Sequence, residues 1–216
     1  MKKEVQELTV QHQVLLAGIP TKTTPWSAVV TYWDIFRNGL KRSRHLQGPT
    51  ITLDATDFQK NFLHSVMAAN VSANTGFGVE AIFDDWKLLS RNIDDLDIQL
   101  LRLENDEKDS IVAYVRGTAT MTESMLRNEF PHLIQGESPQ KWFSIASRLL
   151  GQQLEVFTTM RFVWDPFNGR IVSALYTEDL VTPLQKLLGD LGDVAYMLRM
   201  PPGKSRWGSN FDSRKA

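Results

Sequence analysis

The sequence of 216 residues contains no cysteine. This absence excludes disulfide frameworks, zinc-thiolate sites, iron-sulfur clusters and thiol catalysis, and it fits a reducing compartment. The chain also lacks any run of about 18 apolar residues, and its polar opening lacks the apolar stretch of a signal peptide. We therefore expect a soluble intracellular protein without a membrane-spanning segment.

An excess of charge of either sign is also missing. The 24 Lys and Arg residues nearly balance the 25 Asp and Glu residues, which leaves a formal net charge of -1. No global field is therefore expected to draw this chain onto nucleic acid or an anionic membrane. The 42% hydrophobic and 23% charged residues are typical of a folded protein.

The sequence has none of the common catalytic signatures. It contains no glycine-rich phosphate loop, no paired-histidine zinc motif and no serine between glycines at a nucleophile elbow. The acidic run at Asp94, Asp95 and Asp97 lacks the alternation and the glycine of a calcium loop. We therefore predict no metal site and no cofactor.

Helical periodicity dominates the first half of the chain. Thr24 and Pro25 are typical of a helix N-terminus, because threonine caps the first turn and proline is tolerated there. Three apolar stripes at helical spacing follow: Trp26, Val29, Val30, Trp33, Phe36 and Leu40; Phe58, Phe62, Leu63 and Val66; and Val79, Ile82, Phe83, Trp86 and Leu89. These stripes predict three helices with one buried face each.

The period changes from 3.6 to 2 after residue 95, which favours strands. One predicted hairpin consists of residues 96–100 and 111–121, with a polar loop at 104–109. A second consists of residues 154–164 and 170–177, with a turn at 165–169. Short helices are predicted after Thr122 and Pro139, and a last helix from Thr182 to Val194. We predict an α+β fold in which N-terminal helices pack on a curved antiparallel sheet of at least four strands.

The chain ends are predicted to differ from the α+β domain, which we place at 21–199. In residues 1–20, Val5, Leu8, His12 and Leu15 follow a 3-4-3 spacing that is typical of one heptad seam. Two heptads are fewer than the three or four that a coiled coil normally shows, so a short amphipathic helix packed on its own domain is an equal alternative. Residues 200–216 are rich in Pro, Gly, Ser and charge and are predicted to be a disordered tail.

Three titratable side chains are weak catalytic candidates. His64 lies beside a buried helical stripe. If its imidazole faces a pocket, it acts as a general base. The alternative is that His64 is half-exposed on its helix and has no catalytic role. Asp84 or Asp85 forms an acid-base pair with His64 if their helices face each other. The alternative is a pair of solvent-facing carboxylates near a helix start.

Five further residues are candidates for lining a pocket. Trp33 and Trp86 belong to two of the buried helical stripes, while Tyr114, Arg116 and Arg161 lie on predicted strands. The strand residues either form a polar pocket on the sheet or pair across strands, Arg116 and Arg161 with carboxylates such as Glu155 or Glu123.

Several motifs in order resemble a known family. They are LLAGIP (15–20), TTPWS (23–27), YWDIFRNG (32–39), GVE (78–80), LRN (126–128), FPHL (130–133), LLGQ (149–152) and FVWD (162–165). Together they resemble the region that follows the leucine zipper in oomycete basic leucine-zipper (bZIP) transcription factors.

The resemblance implies a fold and a regulatory role. In such proteins a basic DNA-contacting helix runs into a zipper and then into a domain similar to the nuclear-transport-factor-2-like or SnoaL-like cone. It implies that Val5, Leu8, His12 and Leu15 are the last zipper positions of a nuclear transcription regulator. It also implies a homo- or heterodimer formed through these heptads or the sheet face, and a small hydrophobic ligand.

The family's DNA-contacting basic helix has no counterpart in this sequence, because only Lys2 and Lys3 precede Val5. DNA contact is therefore expected only through a partner or through a basic region outside this sequence. Two other functions stay open: a SnoaL-like isomerase, cyclase or dehydratase, and a transport adaptor that binds proteins through an exposed apolar patch.

Overall fold

The computed structural model describes residues 24–40, 55–106, 109–135 and 139–199. The heptad positions Val5, Leu8, His12 and Leu15, the predicted segment 1–20 and the predicted tail 200–216 lie outside these residues. The helices are α1 (Pro25–Phe36), α2 (Ala55–Val66), α3 (Val79–Asn92), α4 (Glu123–Glu129), α5 (Pro131–Gln135), α6 (Pro139–Leu149), α7 (Val181–Leu188) and α8 (Leu191–Met197). The strands are β1 (Met67–Ala73), β2 (Gly76–Phe77), β3 (Asp97–Asp106), β4 (Ser110–Thr120), β5 (Gln153–Asp165) and β6 (Arg170–Asp179).

Helix α1 begins at the predicted cap. The Thr24 hydroxyl accepts a hydrogen bond from the Ser27 amide, and the Ser27 hydroxyl accepts one from the Thr24 amide, both at 3.1 Å. This capping box satisfies donors that a helix start otherwise leaves unpaired. The helix buries Ala28, Val29, Tyr32, Trp33 and Phe36.

A buried amide joins the end of α1 to α2. Gln59, which is 1% exposed, donates to the carbonyl oxygens of Ile35 at 3.1 Å and Gly39 at 2.8 Å. Gly39 has a φ of +67°, and a Cβ atom there would approach the Ser90 hydroxyl to 2.5 Å, so only glycine fits this junction. The Arg37 carbonyl then accepts from the Ile98 amide at 2.8 Å, which fixes α1 against β3.

The six strands form one sheet in the order β2-β1-β6-β5-β4-β3. All neighbouring pairs are antiparallel except β1 and β6, which are parallel. Register shifts interrupt β3 after Leu100 and the β5-β6 pair after Val163. Irregularities of this kind bend a sheet and increase its twist.

The structure confirms the predicted α+β class and both predicted hairpins, and it corrects several details. Strand β1 was not predicted, and its parallel pairing with β6 makes the sheet mixed rather than purely antiparallel. The predicted loop at 104–109 is shorter, because β3 continues to Asp106 and β4 starts at Ser110. The predicted last helix is two helices, because Gly189 ends α7 with a φ of +70° and Asp190 caps α8.

The core lies between the helices and one face of the sheet. Inward-facing strand residues such as Ala113, Val115, Met160 and Ala174 are at most 4% exposed. No helix within the described ranges is long and apolar enough to cross a membrane.

Candidate functional site

A cavity of about 110 Å³ lies between α1, α3 and the inner face of the sheet. Its wall is mainly apolar. The lining residues that are hydrophobic or aromatic are Tyr32, Trp33, Ala73, Ile82, Trp86, Leu89, Ile93, Leu96, Ile98, Val115, Ala119, Met125, Leu154, Val156, Met160, Ala174 and Tyr176. A concave, mainly apolar wall with a few polar groups is the usual composition of a small-molecule site.

Three aromatic rings from two helices form one corner of this cavity. The ring centroids of Tyr32 and Trp33 on α1 are 5.1 Å apart at an interplanar angle of 88°. Trp86 on α3 lies 6.1 Å from Tyr32 at 56° and 6.4 Å from Trp33 at 76°. The helical spacing of the sequence places these side chains on the faces of α1 and α3 that meet, and aromatic rings favour such edge-to-face contacts.

The two tryptophans of this corner differ in their hydrogen bonds. Trp86 Nε1 donates to the Tyr32 hydroxyl oxygen at 2.8 Å. Trp33 Nε1 is buried and has no acceptor in the part of the chain that the structure describes. An unpaired buried donor costs free energy, so such a group is often found where a ligand or a water binds.

The Tyr32 hydroxyl is held in its neutral form. Burial raises its pKa well above the ordinary value of 10, and the hydrogen bond from Trp86 opposes this only in part. Tyr176 and Asp85 raise the pKa further by electrostatic repulsion of the phenolate. At physiological pH the aromatic corner therefore carries no charge from Tyr32.

The charged part of the wall is acidic. Asp85 on α3 and Glu178 on β6 line the cavity, and among its described lining residues none is Lys, Arg or His. The Thr75 hydroxyl donates to Asp85 Oδ2 at 2.9 Å. Since Thr75 lies in the turn between β1 and β2, this bond ties the carboxylate to that turn.

Asn74 fixes the same turn to the sheet. Its side-chain amide donates to the Tyr176 carbonyl oxygen and accepts from the Tyr176 amide, both at 2.8 Å. The side chain thus pairs with β6 as a neighbouring strand would. This contact positions the β1-β2 turn, and with it Thr75, at the cavity wall.

The three predicted catalytic candidates are separated in the structure. Asp85 lines the cavity, whereas His64 and Asp84 are exposed. His64 Nε2 lies 3.7 Å from Glu80 Oε1, and Asp84 Oδ1 pairs with Lys87 Nζ at 3.0 Å. The predicted acid-base pair of His64 with Asp84 or Asp85 therefore has no basis in the contacts of the described residues.

Of the five pocket candidates, Trp33 and Trp86 line the cavity. Tyr114, Arg116 and Arg161 lie on the opposite face of the sheet, because they alternate with the inward-facing residues of β4 and β5. We call this opposite side the outer face of the sheet. The placement of these three residues corrects the idea of a pocket that uses all five.

The outer-face residues pair across strands instead. Arg116 Nη1 contacts Glu155 Oε1 at 3.3 Å, which confirms the predicted alternative for this arginine. Arg161 pairs with Asp106, and the Tyr114 hydroxyl donates to Glu104 Oε2 at 2.9 Å.

Sequence reasoning missed four polar residues of the cavity wall. They are Asn74, Thr158, Tyr176 and Glu178. A signal existed for Glu178, since it continues the alternation of β6 beyond Tyr176, but the predicted strand ended at residue 177. No cluster of three or more potential metal ligands occurs among the described residues.

Comparisons with known proteins match the predicted resemblance. Residues 26–92 match the model of a family described as the BZIP transcription factor 1 C-terminal domain. This confirms the predicted similarity to the C-terminal part of bZIP factors over that segment. No curated protein matches the chain in sequence.

Solved structures with distant similarity are also known. A SnoaL-like polyketide cyclase from Agrobacterium tumefaciens is 15% identical, with a TM-score of 0.48, over 77% of this chain and 99% of that chain. Wild-type IdmH from Streptomyces antibioticus is 12% identical, with a TM-score of 0.47, over 78% of this chain and 100% of its own. A protein with a ketosteroid isomerase-like fold from Catenulispora acidiphila, in complex with trimethylamine, is 13% identical, with a TM-score of 0.43, over 77% and 95%.

Proposed function

We propose that this chain is the regulatory domain of a bZIP-type transcription regulator, and that it binds a small ligand in its cavity and pairs with a second chain in the nucleus. One observation carries the proposal. The family-matched segment 26–92 supplies the cavity residues Tyr32, Trp33, Asp85 and Trp86. The sequence that resembles the family therefore also builds one wall of the cavity.

The size of the cavity supports a ligand with about one ring. In another protein, an apolar cavity of about 150 Å³ accepts benzene, and the cavity here measures about 110 Å³. Thr158 and Glu178 are partly exposed lining residues, so a substituent on the ring has a way toward solvent. The ligand thus has an apolar body and at most a short polar extension.

DNA contact is assigned to another segment or another chain. The near balance of charge provides no general attraction to a polyanion. A regulatory domain needs none, because it acts through the DNA-binding part to which it is joined or with which it dimerises.

The outer face of the sheet supports pairing with a second copy. Phe157 is 49% exposed and Leu175 is 44% exposed on this face. Arg116 and Arg161 have carboxylate partners within the chain, so a second copy meets paired charges and exposed apolar side chains. A two-fold dimer uses the same patch on both chains, which this arrangement permits.

Light scattering after size exclusion tests this pairing. We expect a dimer at concentrations on the order of tens of micromolar. Phe157→Lys is expected to give a monomer, because it places a charge in the interface. Phe167→Lys is the matched control, since Phe167 is 97% exposed in the β5-β6 turn. A monomeric wild type, or a Phe157→Lys variant that stays dimeric, would contradict pairing through this face.

A tethering experiment tests the regulatory role. The full chain is joined to an unrelated DNA-binding domain in a eukaryotic host, and reporter expression is compared with that of the DNA-binding domain alone. We expect the chain to change expression, and we expect Gly117→Leu, which fills the cavity, to alter that change at equal protein level. Thr159→Leu on β5 is the control, because Thr159 lies on the outer face. Expression equal to that of the DNA-binding domain alone would count against the proposal.

Acid-base catalysis is a second candidate function, and the position of Asp85 in the cavity wall favours it. A carboxylate beside apolar groups is able to take a proton from a carbon acid and return one. We would then expect exchange of the α-protons of phenylacetone in D₂O, lost in Asp85→Asn and kept in the exposed variant Asp84→Asn. Exchange no faster than in buffer would rule this function out for that substrate class.

A further inference from the structure

We propose that the ligand of the cavity is a neutral molecule that carries a hydrogen-bond acceptor, such as a carbonyl oxygen, on a small apolar body, and that this oxygen accepts from Trp33 Nε1. This inference rests on the proposed ligand-binding function and names the chemical class of the ligand. It follows from the hydrogen bonds of the aromatic corner, which leave a donor there without an acceptor among the described residues.

Trp33 provides the donor that the ligand would satisfy. The residue is 5% exposed and lines the cavity, and its Nε1 has no acceptor in the part of the chain that the structure describes. An indole nitrogen is only a donor, so an acceptor is the one kind of polar group that pairs with it. A ligand with an acceptor removes the free-energy cost of the unpaired N–H, whereas a ligand without one leaves that cost in place.

The rest of the aromatic corner is also rich in donors. Trp86 Nε1 donates to the Tyr32 hydroxyl oxygen at 2.8 Å, and the contacts of the described residues give that hydroxyl no acceptor of its own. Burial raises the pKa of Tyr32, so the hydroxyl keeps its hydrogen at physiological pH. The bond from Trp86 polarises the hydroxyl and makes it a better donor. A carbonyl oxygen, with its two lone pairs, matches such a corner.

The ligand reaches Nε1 through a small displacement of the indole ring or of its neighbours. The nitrogen itself has almost no accessible surface, although Trp33 lines the cavity. Changes of side-chain rotamer are common when a protein binds its partner. We therefore expect the surroundings of the Trp33 ring to change on binding, which gives the inference a direct spectroscopic signal.

The acceptor is neutral rather than anionic. None of the described residues that line the cavity is Lys, Arg or His. A carboxylate loses much of its hydration in a mainly apolar cavity, and a neutral N–H compensates for little of that loss. A carbonyl oxygen has far less hydration to lose, so a hydrogen bond from a neutral donor is sufficient for it.

Two probes with the same ring and nearly the same shape test the inference. Cyclohexanone carries the acceptor, and methylenecyclohexane has C=CH₂ in place of C=O. NMR titrations of the full chain give both dissociation constants in the wild type and in Trp33→Phe. We expect Trp33→Phe to weaken the binding of cyclohexanone about tenfold more than that of methylenecyclohexane, because only cyclohexanone loses a hydrogen bond.

Trp86→Phe is the matched control. It removes the same ring atoms from the same corner but leaves the Trp33 donor in place. It should therefore change the two dissociation constants by similar factors. A loss of cyclohexanone binding in Trp86→Phe that equals the loss in Trp33→Phe would contradict the assignment to Trp33.

The wild-type protein provides a second readout that does not depend on the folding of a variant. With ¹⁵N-labelled tryptophan, cyclohexanone should move the Trp33 indole proton resonance downfield, because a hydrogen bond deshields the donated proton. Methylenecyclohexane should not produce this downfield shift. Cyclohexanecarboxylate, an anionic acceptor on the same ring, should bind more weakly than cyclohexanone.

The outcomes separate this inference from the proposed function. Equal losses for both probes in Trp33→Phe, or a Trp33 indole proton that responds alike to both, would overturn the inference and leave a ligand-binding cavity. Tighter binding of cyclohexanecarboxylate than of cyclohexanone would overturn the neutral class. Absence of binding by all three probes, in a wild-type protein that unfolds cooperatively, would overturn the proposed ligand-binding function as well.

Discussion

Trp33 and Trp86 are equally buried neighbours in one aromatic corner, and they differ in a single hydrogen bond. Trp86 donates to Tyr32 at 2.8 Å, whereas the Trp33 indole has no acceptor among the described residues. A paired N–H stabilises the folded state modestly, and an unpaired buried one destabilises it. The two side chains thus form a matched pair for measuring what this donor costs.

We predict that Trp86→Phe lowers the free energy of unfolding more than Trp33→Phe, by about 1 to 3 kcal/mol. Both substitutions remove the same ring atoms, so the loss of packing is similar. Trp86→Phe also removes a hydrogen bond, whereas Trp33→Phe removes an unsatisfied donor. Urea denaturation of the two variants measures the difference, and equal losses would show that the hydrogen bond contributes nothing measurable.

Single residues also show why part of the cavity was predictable and part was not. Trp33 and Trp86 recur at helical spacing, which predicts a buried face for each helix. The alternation on β4 divides its residues between two faces of the sheet. Nothing in the sequence, however, showed whether Arg116 lines a pocket or pairs with Glu155. The cross-strand register settles this, because Arg116 lies opposite Phe157, beside Glu155 on the outer face.

At the scale of elements, one ionic cluster joins α6 to α8. Asp193 on α8 pairs with Arg148 and, at 3.1 Å, with Lys141, both on α6. The hydrogen bond from Arg148 is the main reason that the pKa of Asp193 lies below its ordinary value of 3.8, and Lys141 adds to the shift. The carboxylate side chain is only 16% exposed, so it is better shielded from solvent than a surface ion pair.

We predict that Asp193→Asn lowers the free energy of unfolding by about 1 to 2 kcal/mol at pH 7. Because folding lowers this pKa, the stabilisation is complete above 3.8 and is lost as the pH falls through the folded-state pKa. The gap between wild type and variant should therefore close in acid. Glu123→Gln is the control, since its partner Arg127 lies on the same exposed helix surface. A gap that is independent of pH would contradict the ionic origin.

Elements with a clear period were predictable from the sequence, and β1 was not. Its residues Met67–Ala73 include three alanines, an asparagine and a serine, residue types that are depleted in strands or neutral there. Only Met67 and Val71 are buried, so the strand shows no alternation. Its place is set by parallel pairing with β6, about a hundred residues later in the chain, a contact that local patterns do not encode.

The break between α7 and α8 shows a different limit. The apolar stripe Leu184, Leu187, Leu188, Leu191 and Val194 suggested one helix. Gly189 adopts a left-handed conformation and Asp190 caps the next helix through the Asp193 amide at 2.8 Å. A stop signal and a start signal were both present in the sequence, but the continuous stripe concealed them.

At the scale of the whole molecule, the cavity exists because distant segments meet around a small residue. Gly117 on β4 lines the cavity, and a Cβ atom there would meet its nearest neighbours only at 4.0 Å. Its backbone is not in the left-handed region, so a Cβ atom there causes no backbone strain. We expect a larger side chain at this position to extend into the cavity. Most helices and strands were predictable one by one, whereas a cavity depends on how they pack.

The central claim is that this cavity binds a small molecule, and methionine methyl groups report on it directly. Met125 and Met160 line the cavity, whereas Met67 and Met197 are buried but are not among its lining residues. With ¹³C-labelled methionine methyl groups, a titration with benzyl alcohol is expected to shift the Met125 and Met160 resonances saturably. The Met67 and Met197 resonances should hardly move.

Gly117→Leu should abolish these shifts while the variant keeps the wild-type melting temperature or exceeds it, because the added side chain fills apolar space. Thr159→Leu on the outer face should shift as the wild type does. Saturable shifts confined to Met125 and Met160, and absent in Gly117→Leu, are the predicted result. Shifts that spread over all four methionines, or that persist in a folded Gly117→Leu variant, would contradict a ligand site in this cavity.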